Sequence, residues 1–402
     1  MVENINEKKL YFILNLALSL IVFLNLFVAK RSLDFYLCFI SISYISIIFI
    51  VYLFQKNIFK KVDNSLNLII NLFVLLGLTI IYRINPTMAF KQCILFLFGY
   101  MVYFIVMFFV RDMNEFFKFK WVYFCLALIF MSISFLFGKY INGSKNWISL
   151  FGITFQPSEF GKIFIILYLS SVLRNNRDKV DKYMAIFLIL FSLTILTLQR
   201  DLGTAVIVFV LSMLMYYIRT SKYKFLMFII ISTLILGVLA YINFSHVRVR
   251  IHAWLNPESD PTRTTYQVLQ GFFAMGSGGF LGSGLYKGNL ELIPVNYTDY
   301  IFVSIVEELG IFTGLLIVFL YFLFFVKVMK NSVKMKSKDE SKLIMIGFNV
   351  IIALQTTIIL GGVLNLIPLT GVTLPFISYG GSSIISLFIM FGIMQKILEG
   401  DI

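Results

Sequence analysis

Apolar runs long enough to cross a bilayer recur along most of the chain, near residues 10–29, 35–54, 66–82, 93–110, 122–138, 160–173, 184–199, 202–218, 225–243, 301–326, 343–364 and 382–397. A hydrocarbon core takes about 20 residues of helix, so the pattern predicts an all-α polytopic membrane protein with about twelve transmembrane helices. Some runs between 160 and 218 are short, and one of those helices is expected to be tilted or broken. All seven prolines (Pro86, Pro157, Pro257, Pro261, Pro294, Pro368 and Pro375) fall outside the runs. Proline lacks the N–H that a helix interior needs, so it marks the junctions. The bundle reads as one unit over 1–402, interrupted most by a long polar loop at 244–299.

Composition supports this picture. The chain has 402 residues, 59% of them hydrophobic and 13% charged, against roughly 25% charged in soluble domains. The net charge of +14 therefore reads as membrane topology and not as a nucleic-acid surface. Lys and Arg concentrate in one set of alternate connections, above all in "KVMKNSVKMKSKDESK" (327–342). That bias predicts cytoplasmic termini and places the segments 138–162, 244–299 and 365–383 on the outer face. No small-residue cleavage site follows the first run, which is expected to be retained. Cys38, Cys93 and Cys125 lie in apolar runs without disulfide or zinc spacing, and buried packing is expected for them.

Candidate chemistry gathers in the outer segments. Asp299 stands where the long loop enters the tenth run. It fits either a helix-capping carboxylate or a general base at a water-accessible mouth. Glu307 and Glu308 follow about 80° and 180° around the helix from Asp299, and a buried structural pair is the expectation for them. Glu159 and Lys162 sit three apart after Pro157, suited either to neutralising each other or to lining a polar cavity. Arg200 and Asp201 form a polar turn. With Lys145, Lys162, Arg248, Arg250, Arg263 and Lys287, Arg200 belongs to a set of cations suited to a pyrophosphate at the membrane surface. His246 and His252 lack companions with zinc-ligand spacing, and "GSGGFLGSG" lacks the lysine of a phosphate loop.

The outer segments "NGSKNWISLFGITFQPSEFGK", "RDLGTA", "NPESDPTRTTYQVLQGFFAMGSGGFLGSGLYKG", "IPVNYTDYIFVSIVEELG" and "IPLTGVTLPFISYGGSS" occur in this order. Together they resemble the SEDS proteins (shape, elongation, division and sporulation), the RodA/FtsW family. The resemblance implies a SEDS-type bundle and a peptidoglycan glycosyltransferase that polymerises lipid II into undecaprenyl-linked glycan at the outer face of the bacterial cytoplasmic membrane. It implies a class B penicillin-binding protein as partner. The family's catalytic aspartate falls on Asp299, its cavity-lining acid and lysine fall on Glu159 and Lys162, and Lys145 and Trp147 join the substrate-contacting set. Three departures stand out: Arg200 replaces the usual proline before "DLGT", Tyr297 replaces the histidine before "TD", and the basic pair often found before the tryptophan of the first loop is reduced to Lys145 and Asn146. The chain also has two more predicted spans than family members commonly have.

In such a reaction an acceptor sugar hydroxyl attacks an anomeric carbon and undecaprenyl pyrophosphate departs. Asp299 would accept the proton, and Arg200, Asp201, Arg248, Arg250 and Lys287 are the further candidates around the substrate. A divalent cation, Mg or Mn, is the one cofactor the chemistry suggests, with no ligands assigned. The competing readings are a lipid-precursor flippase, which moves substrate without making polymer, and a non-catalytic scaffold for the partner enzyme.

Overall fold

The computed structural model describes residues 5–32, 34–59, 61–110, 117–141, 143–150, 153–174, 179–335 and 339–401. Each predicted run contains one long helix: α1 (Ile5–Lys30), α2 (Phe35–Asn57), α3 (Asn64–Ile84), α4 (Pro86–Phe109), α5 (Lys120–Phe137), α6 (Ser158–Arg174), α7 (Lys179–Leu198), α8 (Leu202–Thr220), α9 (Lys224–Asn243), α12 (Ile301–Lys334), α13 (Asp339–Val363) and α14 (Gly381–Asp401). Eleven of these are long and apolar enough to cross a membrane, and α6, at 17 residues, is the short one. The protein is an all-α, multi-pass membrane protein. Its long loop carries two more helices, α10 (Ser245–Leu255) and α11 (Tyr266–Gly278).

Local signals account for several boundaries. Asp34, Asp63 and Asn85 accept hydrogen bonds from the first-turn amides of α2, α3 and α4, the bonds that stabilise a helix start. Pro86 takes the first position of α4, where its missing N–H costs nothing. The helix therefore begins ahead of the apolar run read from 93.

None of the short helices between 158 and 220 is interrupted; the break lies in α12. There Gly310 has φ +86°, and a Cβ on it would stand 2.4 Å from the Phe280 carbonyl oxygen. The preceding loop fills the break. The amides of Ile311 and Phe312 donate to the carbonyls of Gly279 and Phe280, and those of Ser283 and Gly284 donate to the carbonyls of Glu307 and Glu308. Helix α11 runs along the first half of α12, with Gly271 against the Tyr300 ring and Gly278 against the backbone of Val306 and Glu307.

The core is built where small residues let helices approach. Gly99 of α4 faces the Phe388 ring of α14, Gly392 of α14 faces Val106 of α4, and Gly77 of α3 meets the Ile377 carbonyl. The periodicity gave no sign of an antiparallel three-stranded sheet between α5 and α6, made of β1 (Lys139–Ile141), β2 (Ser144–Leu150) and β3 (Ile153–Phe155). Lys139 pairs with Trp147 and Ile148 with Phe155. Of the three free thiols expected in packing, Cys93 is buried, Cys38 is half-buried and Cys125 lies exposed on the outer surface of its helix.

Candidate active site

The three polar segments read as outer converge at one end of the bundle. From the first, Asn146 Nδ2 and Gln156 Nε2 donate to Asp201 Oδ2 at 2.8 and 2.9 Å, and the Gln156 amide donates to Ser382 Oγ at 3.0 Å. Asp201 also caps α8 through the Thr204 amide. Its oxygens are thus engaged in joining the sheet to α8. From the long loop, Trp254 Nε1 donates to the Asn365 carbonyl and Asn365 Nδ2 returns a bond to the Trp254 carbonyl. Arg250 Nη1 donates to the Thr370 carbonyl at 3.0 Å.

Asp299 sits inside this junction. The cap position of α12 is Tyr300, without a side-chain cap bond, so Asp299 does not serve as the helix cap. Its backbone neighbours are clamped: Ser378 Oγ donates to the Thr298 carbonyl at 2.7 Å, and the Tyr379 amide donates to the Tyr297 carbonyl at 2.9 Å. Gly371, at φ +78°, lies between Asp299 and Arg250. A Cβ there would stand 3.6 Å from Asp299 Oδ2 and 3.8 Å from Arg250 Nη2. Burial pushes the Asp299 carboxyl up to about 6, against the opposing pull of Arg250 and of the Thr298 hydroxyl. His246 is held below its ordinary value by burial and by the nearby cations Arg250 and Arg200.

The other candidates separate. Arg200, in a left-handed turn at φ +60°, and Arg248 are exposed; Arg200 is close enough to act on His246. Lys145 folds back to donate to the Phe135 carbonyl at 2.8 Å, while Trp147 is half-buried in β2. Lys287 is exposed in the loop that laces onto Glu307 and Glu308. Lys162 Nζ lies 2.7 Å from Glu159 Oε1 with both side chains buried, and Ser386 of α14 donates to the other Glu159 oxygen at 3.4 Å. The pair is closed and self-neutralising, with Lys162 only 1% exposed; it offers an anionic ligand no open face.

Glu307 and Glu308 lie buried away from this mouth. Glu308 Oε1 accepts from Arg83 Nε at 2.8 Å, and Arg83 Nη2 also donates to the Gly288 carbonyl. Glu307 Oε1 accepts from the Asn289 amide at 2.6 Å. The sequence reading did not single out Arg83, although an arginine at the end of an apolar run is the signal that a buried acid needs it. Gly371 and Ser378 were missed as site-builders because nothing local reveals what they touch.

Among the described residues no group of three or more His, Cys, Asp or Glu is placed to hold a metal ion. Around Asp299 the described side chains bring a carboxylate beside the Arg250 guanidinium, on which Asp201 also acts. That is no all-protein metal cage, whereas Mg²⁺ is commonly held by one or two carboxylates together with substrate phosphates.

Comparison with known proteins places the chain in a family. The FtsW/RodA/SpoVE family model, described as cell cycle protein, matches residues 62–401. A peptidoglycan glycosyltransferase RodA of Mycobacterium tuberculosis is 29% identical over 356 residues, covering 81% of this chain and 75% of its own. A probable peptidoglycan glycosyltransferase FtsW of Enterococcus hirae is 34% identical over 288 residues, covering 68% and 72%. Among solved structures, one reported for structural coordination of polymerization and crosslinking by a peptidoglycan synthase complex aligns at TM-score 0.72 and 24% identity, covering 85% of this chain and 98% of the matched one. The rod shape determining protein RodA of Thermus thermophilus aligns at TM-score 0.63 and 22% identity, covering 85% and 97%. With its fold, its motif order and a family match over most of its length in agreement, the chain belongs to the FtsW/RodA/SpoVE family.

Proposed function

We propose that this protein is a peptidoglycan glycosyltransferase that polymerises lipid II at the outer face of the cytoplasmic membrane, with Asp299 as the general base. The observation that carries the reading is the Asp299 carboxylate held between clamped backbone at the mouth of the bundle, beside Arg250 and Gly371. A carboxyl at about 6 is ionised at neutral pH yet basic enough to take a proton as the hydroxyl attacks. Arg250 favours the ionised form, and the exposed Arg200 and Arg248 are suited to a departing pyrophosphate. The names carried by the relatives support this chemistry. Both termini are assigned to the cytoplasm on the Lys and Arg bias, and a class B penicillin-binding protein is the proposed partner. A flippase is less well supported, because the deep acids Glu307 and Glu308 are tied to Arg83 and to loop backbone. The decisive test is gel-resolved polymerisation of lipid II by purified protein with moenomycin present to silence unrelated polymerases; absence of polymer from folded, partnered protein would overturn the assignment.

Two further results are expected. The acidic limb of the rate–pH profile should fall near 6 and not near the ordinary carboxylate value of 3.8. Ionised Asp299 is the working form, so rate is lost as pH drops through that value. Arg250 lowers this carboxyl, so Arg250→Gln should move the limb to higher pH; a limb that stays in place would separate Arg250 from the base. Gly371→Ala should cost about 1–2 kcal/mol of backbone strain from the left-handed conformation. Its methyl would also occupy the space between Asp299 and Arg250, so polymerisation should fall more than the small change in melting temperature explains.

A further inference from the structure

The bonds that clamp Tyr297 and Thr298, just ahead of Asp299, come from the turn 374–380, and this turn is under strain. Phe376 sits there in the left-handed region, at φ +63°, with its ring buried against Phe388 of α14. A bulky side chain keeps that backbone only where the surroundings over-determine it. Ser378 closes the turn from within: its amide donates to the Leu374 carbonyl at 3.0 Å, and the Leu374 amide donates to its Oγ at 2.9 Å. From α12 the Tyr321 hydroxyl donates to the Pro375 carbonyl. The far end of the turn is held by Gln92 of α4, a residue outside every outer motif. Its Nε2 donates to the Ser378 carbonyl at 3.3 Å, and its Oε1 accepts from the Gly380 amide at 3.4 Å.

Gln92 is only 2% exposed, and an amide so buried is unfavourable unless both its ends are bonded. Here both ends go to the residues on either side of Tyr379. That stretch is the one that reaches toward Asp299, with Ser378 Oγ bonded to the Thr298 carbonyl and the Tyr379 amide bonded to the Tyr297 carbonyl. We propose that Gln92 is a positioning residue for the glycosyl transfer, fixing residues 378–380 and through them the backbone that carries Asp299. The inference rests on Asp299 as the general base. Without the two Gln92 bonds the strained turn is free to relax, and a reacting group misplaced by about 1 Å can lose about a hundredfold in rate.

Steady-state polymerisation of lipid II by the purified, partnered protein tests this with Gln92→Met, which keeps the length of the side chain and removes both bonds. The kcat should fall by about ten- to a hundredfold with KM little changed, because the exposed cations Arg200 and Arg248 belong to other segments. The acidic limb of the rate–pH profile should move below about 6. A loosened Asp299 gains water, while Arg250 and Tyr300, the titratable groups coupled to it, are unchanged. Gln92→Asn, one methylene too short to reach the turn, gives the same reading should Gln92→Met not fold. Tyr100→Phe removes a buried bond from the same helix to Asn71 and should lower the melting temperature while leaving kcat and the limb in place. Wild-type kcat and limb in Gln92→Met, with Asp299→Asn inactive, would overturn the positioning role and leave the base assignment standing. So would a lowered melting temperature with the limb unmoved, the result expected of packing alone. An active Asp299→Asn would overturn both.

Discussion

Purified Asp299→Asn protein is expected to lose lipid II polymerisation by about two to four orders of magnitude, the usual contribution of a general base. The substitution keeps the shape of the side chain and removes its ability to take a proton. Folding should be spared, since Asp299 caps no helix and the clamps from Ser378 and Tyr379 act on backbone carbonyls. The melting temperature should hold or rise, because a neutral amide escapes the burial that pushes the carboxyl up to about 6. Polymerisation on the gel and thermal unfolding in detergent separate the two effects. Wild-type polymer from the variant would remove the base assignment and return Asp299 to a scaffold role.

Arg83→Met should destabilise the fold by about 3–5 kcal/mol, the cost of leaving one member of a buried ion pair without its partner. Three observations make this pair structural. Glu308 is buried, its Oε1 lies 2.8 Å from Arg83 Nε, and Arg83 stacks on the Tyr286 ring at 4.7 Å while donating to the Gly288 carbonyl. Adding Glu308→Gln removes the stranded charge, so the double variant should recover part of the lost melting temperature. Equal melting of single and double variants would show that the two charges are not coupled.

The helical frame was legible because lipid leaves little choice: a chain that crosses it must satisfy its backbone within each helix, and apolar runs announce where. The ends were less so. The cap at Asn85 and the N1 proline moved the start of α4 ahead of its apolar run, and the length of α6–α8 suggested a break that the structure places at Gly310 instead. The sheet at 139–155 escaped notice because its strands are short and draw support from distant residues, as in the Lys145 amide bonding to the Gln199 carbonyl. In the site, the location of Asp299 could be read from the edge of a polar loop. Its surroundings could not. Arg250 comes from the far end of the long loop and Thr370, Gly371 and Ser378 from the segment 365–383, and only the fold decides which of the many cations in the outer segments faces the carboxylate. Glu159 and Lys162 were close enough in sequence for their pairing to be foreseen; its closure by Ser386 was not.

The break in α12 carries a consequence for how the chain is built. The amides of Ile311 and Phe312 find their acceptors in residues 279 and 280, which leave the ribosome earlier. Without that segment the same amides would close on the Glu307 and Glu308 carbonyls, four residues back, as in an unbroken helix. The loop therefore opens the helix and satisfies both sides of the opening itself. Shortening the loop by genetic deletion should accordingly leave a span that still inserts, as a regular helix, and lose the break that the loop holds open.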